Sequence, residues 1–392
     1  MNPLKYNLLG LDEAGLVGFA ESIGETRYRG RQLFRWIYAQ GASDFHAMTD
    51  LAKSFRHRLQ ETASIEGLKL AAQQRSSHDG TTKFLFALTD GLKIESVLIP
   101  PALAFTGRNT TDEEEQKRLT ICVSTQVGCP LDCAFCATAT MGFARNLTPG
   151  EIVDQILQVK RITSKKITNI VFMGMGEPLM NYDHVMKAVD IISDGAGIAA
   201  KRITISTAGW ADKIRQMGDE SRRVKLAVSL HSAVDATRTK LMPINKKFNL
   251  KMLLSALDYY YSRTKQRITY EYIFFDGVND SDRDVEQLIS LARRVPSKIN
   301  VIPYHPIDFT HPSGFSASLR PSRRTAQIVE RLRASNLTVM VRSSSGEDID
   351  AACGQLAVKT DRLARKRQPV KPPVGGISPL IPKAHKPVAV RE

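Results

Sequence analysis

The chain has 392 residues, 42% hydrophobic and 24% charged, with a net charge of +15. At about 150 residues per domain, this length predicts two to three units with sizeable buried cores. Five cysteines are too few for a disulfide scaffold, and no apolar run approaches the roughly 20 residues of a membrane span.

Acids inside the opening apolar stretch predict no secretory leader, so a reducing, cytoplasmic setting without membrane contact is expected. The last segment, 361–392, holds eight bases against two acids, so most of the excess charge lies in the rest of the chain. Such an excess favours a polyanionic partner, most often nucleic acid, over a merely basic surface.

The stretch up to Thr62 reads as helical. Tyr28, Gln32, Leu33, Trp36 and Ile37 recur at helical spacing, and Met48–Leu59 continues the pattern. Thr81–Pro100 switches to alternation around Asp90-Gly91, which predicts a hairpin. A small helical-plus-hairpin domain over 1–104 is expected, followed by a polar insertion at 105–118. Strand-like runs then occur at Thr120–Ser124, Asn169–Met173, Arg202–Ser206, Lys225–Leu230, Thr269–Phe275, Ile299–Pro303 and Leu337–Arg342. Amphipathic stretches such as Pro149–Ile162, Tyr182–Ile192, Asp280–Arg294 and Pro321–Ser335 lie between them. Strands separated by helices predict βαβ units, a parallel sheet and a full or partial barrel over 119–345, its functional groups at the C-terminal strand ends. The proline-scattered basic tail, 361–392, reads as disordered.

Directly after the first barrel strand comes Cys129-Pro-Leu-Asp-Cys133-Ala-Phe-Cys136. Three thiols this close in a reducing compartment point to a metal or a cluster. Zinc takes four ligands, commonly from two separated pairs, and no second pair exists here. Three ligands on a cubane [4Fe–4S] cluster leave one iron open for a small molecule. The spacing, with an aromatic before the last cysteine, is that of the radical S-adenosylmethionine signature; zinc and plain buried thiols stay open as alternatives. Met173-Gly174-Met175-Gly176-Glu177-Pro178 closes the second strand. Its glycines allow close backbone approach, and Glu177 suits a cationic amine. Ser206, and Ser229-Leu230-His231, end the third and fourth strands, as strand caps or as walls of a shared mouth. Cys122 and Cys353 stand apart; lone cysteines are usually small buried hydrophobes, although Cys353 lies in a Ser/Gly-rich loop that would expose a thiol.

Together RGRQLFRWIYAQG, VSTQVGCPLDCAFCATATMGFARNL, MGMGEPLMN, RITISTAG, LAVSLHS, MPINKKFNL and GEDIDAACGQL closely resemble the RlmN family of bacterial 23S rRNA and tRNA adenine-C2 methyltransferases. The resemblance runs from about Arg29 to Leu356. It implies an α/β fold: a partial (β/α)6 radical-SAM barrel, an N-terminal accessory RNA-binding domain, and a C-terminal catalytic loop over 346–360 carrying Cys353. C2 of adenine is an amidine carbon without nucleophilic character, so it cannot take a methyl cation directly and radical chemistry must come from a cofactor. The resemblance implies that Cys353 accepts a methyl group from S-adenosylmethionine, and that a cluster on Cys129, Cys133 and Cys136 then cleaves a second molecule to a 5′-deoxyadenosyl radical. That radical takes hydrogen from the methyl on Cys353, and the methylene radical adds to adenine C2. Cys122 assists proton loss and releases product by a disulfide with Cys353, and Glu95 matches the proton acceptor. Contacts to S-adenosylmethionine carry over to Gly176, Glu177, Ser206, Ser229, Leu230 and His231. The family has Asn where this chain has His305, so the resemblance implies that His305 contacts S-adenosylmethionine with changed geometry, through a ring that cannot offer the amide's paired donor and acceptor.

The expected partners are 23S rRNA, tRNA and a small flavodoxin-like electron donor, with the protein a monomer. A related Cfr-type adenine-C8 methyltransferase uses the same thiols, and a noncatalytic iron–sulfur RNA-binding protein is the rival from another class. The RWIY-containing N-terminal stretch and QVGC before the triad favour C2.

Overall fold

The computed structural model describes residues 5–101, 118–342 and 345–358. The opening helices are α1 (Glu13–Ser22), α2 (Arg27–Phe34) and α3 (Lys53–Thr62). The helical spacing read over Tyr28–Ile37 is α2 running on into a wider turn, Arg35–Gln40, that Gly41 ends in the left-handed region. The continuation starts at Lys53, not Met48, because a short 3-10 turn and the bond from Leu51 N–H to the Met48 carbonyl (3.1 Å) interrupt it. Two two-residue strands, β1 (Tyr6–Asn7) and β2 (Ala63–Ser64), pair in parallel and bring the ends of this helical stretch together.

Three antiparallel strands follow: β3 (Lys69–Arg75), β4 (Thr82–Ala87) and β5 (Lys93–Ile99). The hairpin around Asp90-Gly91 is as the alternation predicts. β3 carries no such signal, since LAAQQ lacks the β-branched and aromatic residues that mark strands, and it forms an exposed edge.

The barrel strands are β6 (Thr120–Cys122), β9 (Asn169–Phe172), β10 (Ile203–Thr207), β11 (Lys225–Ser229), β12 (Ile268–Tyr272), β13 (Ser297–Val301) and β14 (Val339–Val341). Between the first two lies a separate antiparallel pair, β7 (Gln126–Gly128) with β8 (Phe143–Asn146). Among the described residues the main sheet has ten strands in the order β14-β13-β12-β11-β10-β9-β6-β5-β4-β3. All neighbours from β6 to β14 pair in parallel, so six crossovers join seven strands into an open α/β barrel. β5 pairs antiparallel with β6, aligning Val97 with Cys122, so hairpin and barrel share one sheet. The two edges, β3 and β14, leave the barrel partial.

The crossovers include α4 (Pro149–Thr163), α5 (Tyr182–Asp194), α6 (Ala211–Asp219), α7 (Asp235–Leu241), α8 (Leu250–Thr264), α9 (Asp282–Ala292), α10 (Gly314–Ser318) and α11 (Thr325–Ala334). α4 starts where Thr148 and Glu151 cap each other's backbone and proline takes the first helical position. Its buried Asp154 accepts from Leu68 N–H (2.6 Å) and pairs with Arg161 (3.0 Å), tying the N-terminal segment to the barrel. The strands bury Ile121, Ile170, Ile205, Leu226, Tyr270 and Ile299. These elements belong to one compact unit, Met1–Val358, whereas the expected insertion up to residue 117 and the tail lie outside the described residues. No helix among the described residues is long and apolar enough to cross a membrane.

Candidate active site

The Cys129–Cys136 loop is pinned at three points. Cys129 N–H donates to the Gly142 carbonyl (2.8 Å), Ala134 N–H to the Leu241 carbonyl at the end of α7 (2.9 Å), and Ala137 N–H to the Gly354 carbonyl (2.7 Å). The first bond belongs to the β7–β8 hairpin, where Gly128 sits at φ +74° and a Cβ would fall 1.9 Å from the Gly142 oxygen. Only glycine closes that hairpin. Burial pushes the Cys129 thiol up to about 12, that of Cys133 well above the usual range and that of Cys136 upward; Cys136 adds to the rise at Cys129, and both add to it at Cys133.

That coupling makes the three sulfurs one electrostatic group. Three thiolates on a cubane ligate three different irons and leave the fourth iron open, whereas zinc asks for four ligands. The donor set fits a [4Fe–4S] cluster better than zinc.

The mouth of the barrel gathers the other strand ends. Gly176, at φ +100°, lets its backbone pass against Gln126, whose Cβ a side chain would meet at 2.5 Å. Glu177 is buried, with one carboxylate oxygen accepting from Leu179 N–H (3.0 Å) and the other from Ala208 N–H (2.7 Å). Burial raises its pKa against the pull of those bonds. Ser206 and Ser229 are half-buried on the adjacent strands β10 and β11. Leu230 is fully buried, and His231 follows in a left-handed turn at φ +51°. His231 Nδ1 accepts from Ile273 N–H (3.1 Å), and Phe135 of the cysteine loop packs its edge on the imidazole at 4.5 Å. Burial first, and then the charge of Arg238, drops the His231 pKa to about 3, so the ring is neutral.

A cavity opens beside this mouth, lined by Cys122, Cys353, Met173, His305, Arg342 and Val97, among others. Cys122 and Cys353, remote in sequence, thus share one wall. All five cysteines are free, so the pair that the resemblance joins by a disulfide is unbridged here. Burial raises the Cys122 thiol to about 12, with Cys353 adding to the effect. The 345–358 segment is clamped from the hairpin side. Gly346 N–H donates to Asp79 (2.9 Å) and Lys83 Nζ to the Asp350 carbonyl (3.3 Å). The Thr138 hydroxyl of the cysteine loop donates to the Leu356 carbonyl (2.7 Å).

His305 is buried, its Nδ1 3.3 Å from a Glu347 carboxylate oxygen. Glu95 is buried on β5 with a carboxylate oxygen 3.6 Å from Lys83 Nζ, a diagonal neighbour on β4, and lies on the same strand face as the cavity-lining Val97 and Ile99 but one step further along. The structure therefore brings the cysteine triad, the strand-end residues and the two lone cysteines to one end of the barrel, with Glu95 adjacent.

The sequence pattern does not single out the polar set behind Cys353. Arg342 follows β14 and lines the same cavity as Cys353. The charges of Cys353 and then Glu271, together with Cys122, favour its cationic form against burial. Arg342 Nη1 lies 3.8 Å from Glu271 on β12 and 3.5 Å from the Met173 sulfur, while Asn300 on β13 donates to Glu271 (3.0 Å). Burial raises the Glu271 pKa, partly offset by Arg342. Polar residues inside the apolar runs of β12 and β13, with an arginine directly after β14, are the signal that could have found them.

Residues 6–65 match the family described as "Ribosomal RNA large subunit methyltransferase N-terminal domain", and residues 123–289 match "Radical SAM superfamily". A solved radical SAM methyltransferase from Sphaerobacter thermophilus superposes with a TM-score of 0.79 at 40% identity, covering 90% of this chain and 99% of that one. A "Probable dual-specificity RNA methyltransferase RlmN" of Flavobacterium psychrophilum is 46% identical, covering 91% of this chain and 98% of its own. A "Dual-specificity RNA methyltransferase RlmN" of Halorhodospira halophila is 42% identical, covering 93% and 97%. Fold, site and relatives define a radical S-adenosylmethionine RNA methyltransferase. The chain belongs to the dual-specificity RNA methyltransferase RlmN family.

Proposed function

We propose that this chain forms 2-methyladenosine in 23S rRNA at the peptidyl transferase centre and in tRNA at the adenosine 3′ of the anticodon, through a methylated Cys353. The observation that carries the reading is the cavity lined by Cys122, Cys353 and Arg342 together, beside the cysteine loop. Cys129, Cys133 and Cys136 hold the [4Fe–4S] cluster, and Gly176, Glu177, Ser206, Ser229, Leu230, His231 and His305 contact S-adenosylmethionine. Bound there, the cluster supplies the electron that cleaves S-adenosylmethionine to a carbon-centred oxidant able to take hydrogen from the methyl on Cys353.

The residues of the chain do the rest. Arg342 places a guanidinium in the cavity that holds Cys353, whose thiolate is the form that displaces the methyl from a sulfonium. Glu177 receives the amino group of S-adenosylmethionine, since its carboxylate already accepts two backbone N–H bonds and has lone pairs left. Neutral His231 offers its second ring nitrogen without adding positive charge beside a sulfonium. Cys122 keeps its proton until release. The adduct first gives up the C2 proton to Glu95 and its surplus electron to the iron–sulfur site. The Cys122 sulfur then bonds to that of Cys353, the bond from Cys353 to the product carbon breaks, and that carbon keeps the electron pair and takes up the Cys122 proton to leave a methyl group. Glu95 accepts the C2 proton, with Lys83 beside it to stabilise the carboxylate.

A flavodoxin-like donor supplies electrons, the N-terminal segment 1–104 grips RNA, and the protein acts as a cytoplasmic monomer. Mass spectrometry of rRNA and tRNA digests, from cells with and without the protein, tests the reading. Loss of 2-methyladenosine from both pools is expected; a change in 8-methyladenosine alone identifies the C8 chemistry instead.

A further inference from the structure

Arg238, on α7, is the largest fully buried side chain, with 0% of its surface exposed. Its partners are all neutral: Nη1 donates to the Asn245 side-chain oxygen (2.8 Å), and Nη2 to the carbonyls of Ala208 (2.6 Å) and Ser229 (3.3 Å). Its Nε has no hydrogen-bond partner. Among the described residues, no carboxylate stands within ion-pair distance of this guanidinium. Asp235, one turn back, is spent on Leu250 N–H and the Asn245 amide (2.9 Å each). A buried charge left unpaired is among the most costly features a fold can carry, so one that persists points to a counter-charge that the protein alone does not supply.

The surroundings say where that counter-charge sits. Ala208 and Ser229 follow or end β10 and β11 at the barrel mouth. The helix that carries Arg238 gives its Leu241 carbonyl to Ala134, between Cys133 and Cys136. Of the groups that interact electrostatically with Arg238, Cys133 of the triad is the foremost source of negative charge. We propose that Arg238 is the fixed cation that offsets the negative charge of the three-thiolate iron–sulfur cluster, and so eases entry of the electron that starts each radical turnover. A [4Fe–4S]2+ core with three thiolates carries one negative charge and gains a second on reduction. A guanidinium in the same low-dielectric pocket favours that second charge over the first. Arg238 is a positioning residue in this sense: it acts through the cluster and through the two carbonyls it holds, not on substrate.

This inference rests on assignment of the cluster to Cys129, Cys133 and Cys136. The experiment uses full-length protein with the cluster reconstituted anaerobically, and titrates it with dithionite under electron paramagnetic resonance. At the potential that half-reduces the wild type, R238M is expected to show about a tenfold lower ratio of reduced to oxidised cluster, the equivalent of about 59 mV for one electron. R238K keeps the charge and recovers most of the ratio. N245A disturbs the same hydrogen bonds without touching the charge and leaves the ratio unchanged. Should R238M fail to fold, R238Q carries the same test, because its amide can still hold the Ala208 carbonyl.

An R238M protein with full iron content and an unaltered potential overturns the proposal and makes the residue a strand-end clamp. So does an unaltered potential with weakened S-adenosylmethionine binding, which would assign the charge to the carboxylate of that molecule. A wild type that forms no cubane at all sinks the site assignment instead, a distinct outcome.

Discussion

Two sides of the barrel mouth are built on opposite principles. The cluster side is local: three cysteines within eight residues, a hairpin closed by Gly128 and Gly142, and one short helix behind. The thiol side is assembled from afar. Cys122 ends the first barrel strand, Cys353 comes after the last, Glu271 and Asn300 arrive on two further strands, and Arg342 directly follows the last. The antiparallel hairpin then clamps the Cys353 segment through Asp79 and Lys83. A metal cluster needs its ligands in fixed register, which short spacing provides cheaply. A thiol that must take a methyl, meet a base and later meet a second thiol needs a surface that the whole sheet composes. The two sides touch through the Ala137–Gly354 and Thr138–Leu356 bonds, so they are coupled yet separable.

Removing Cys353 tests the separation most sharply. C353A is expected to abolish RNA methylation, a loss of about a thousandfold or more, while iron content and the cubane absorption stay at wild-type level. If the cluster disappears with the thiol, the sides are one unit. The converse is G128A. A Cβ only 1.9 Å from the Gly142 carbonyl cannot be accommodated, and the positive φ adds strain, so the hairpin opens at a cost of about 2 kcal/mol or more. Cluster content, measured as iron per chain, falls to a minor fraction, whereas the far-ultraviolet dichroism of the barrel persists.

The same contrast governs what could be read from the chain. The cysteine spacing, the glycines after the second strand and the seven strand runs are short-range signals, and each lies where the periodicity puts it. The hairpin β7–β8 is too short to show a period, and β3 is a strand only because β4 offers it a partner. Arg342 and Arg238 look like ordinary basic residues of a strand end and a surface helix. Their surroundings, and the full burial of Arg238, are decided by strands far away in sequence, and nothing in VRSSS or TRTKL announces them. Glu95 was legible only through the family motif, because its place one step from the cavity depends on how β5 pairs with β6.

His305 sits between the two sides, lining the thiol cavity while expected to touch S-adenosylmethionine. Restoring the family amide with H305N is predicted to tighten S-adenosylmethionine binding about fivefold, the worth of one net hydrogen bond of about 1 kcal/mol. Isothermal titration of the cluster-loaded protein measures it. An unchanged or weaker affinity would mean that His305 serves Glu347 and the Cys353 loop alone.

The smallest effect concerns Cys122, and its sign follows from burial. The thiol titrates near 9 when unfolded and near 12 in the folded chain, where burial dominates and Cys353 adds to it. Below pH 9 both states keep the proton and the contribution to stability is complete. Between 9 and 12 the unfolded chain loses a proton that the folded chain retains, so stability falls as pH rises. At pH 10 this amounts to about 1.4 kcal/mol, one unit past the unfolded value. C122A lacks it, so the gap in urea-unfolding stability between wild type and C122A should shift by that amount from pH 8 to pH 10. The three cluster cysteines, also raised, add to the alkaline loss in both apo proteins equally and cancel in the difference. A gap that stays constant with pH would show Cys122 open to solvent, and the thiol side would then lack the dry wall on which its proton bookkeeping depends.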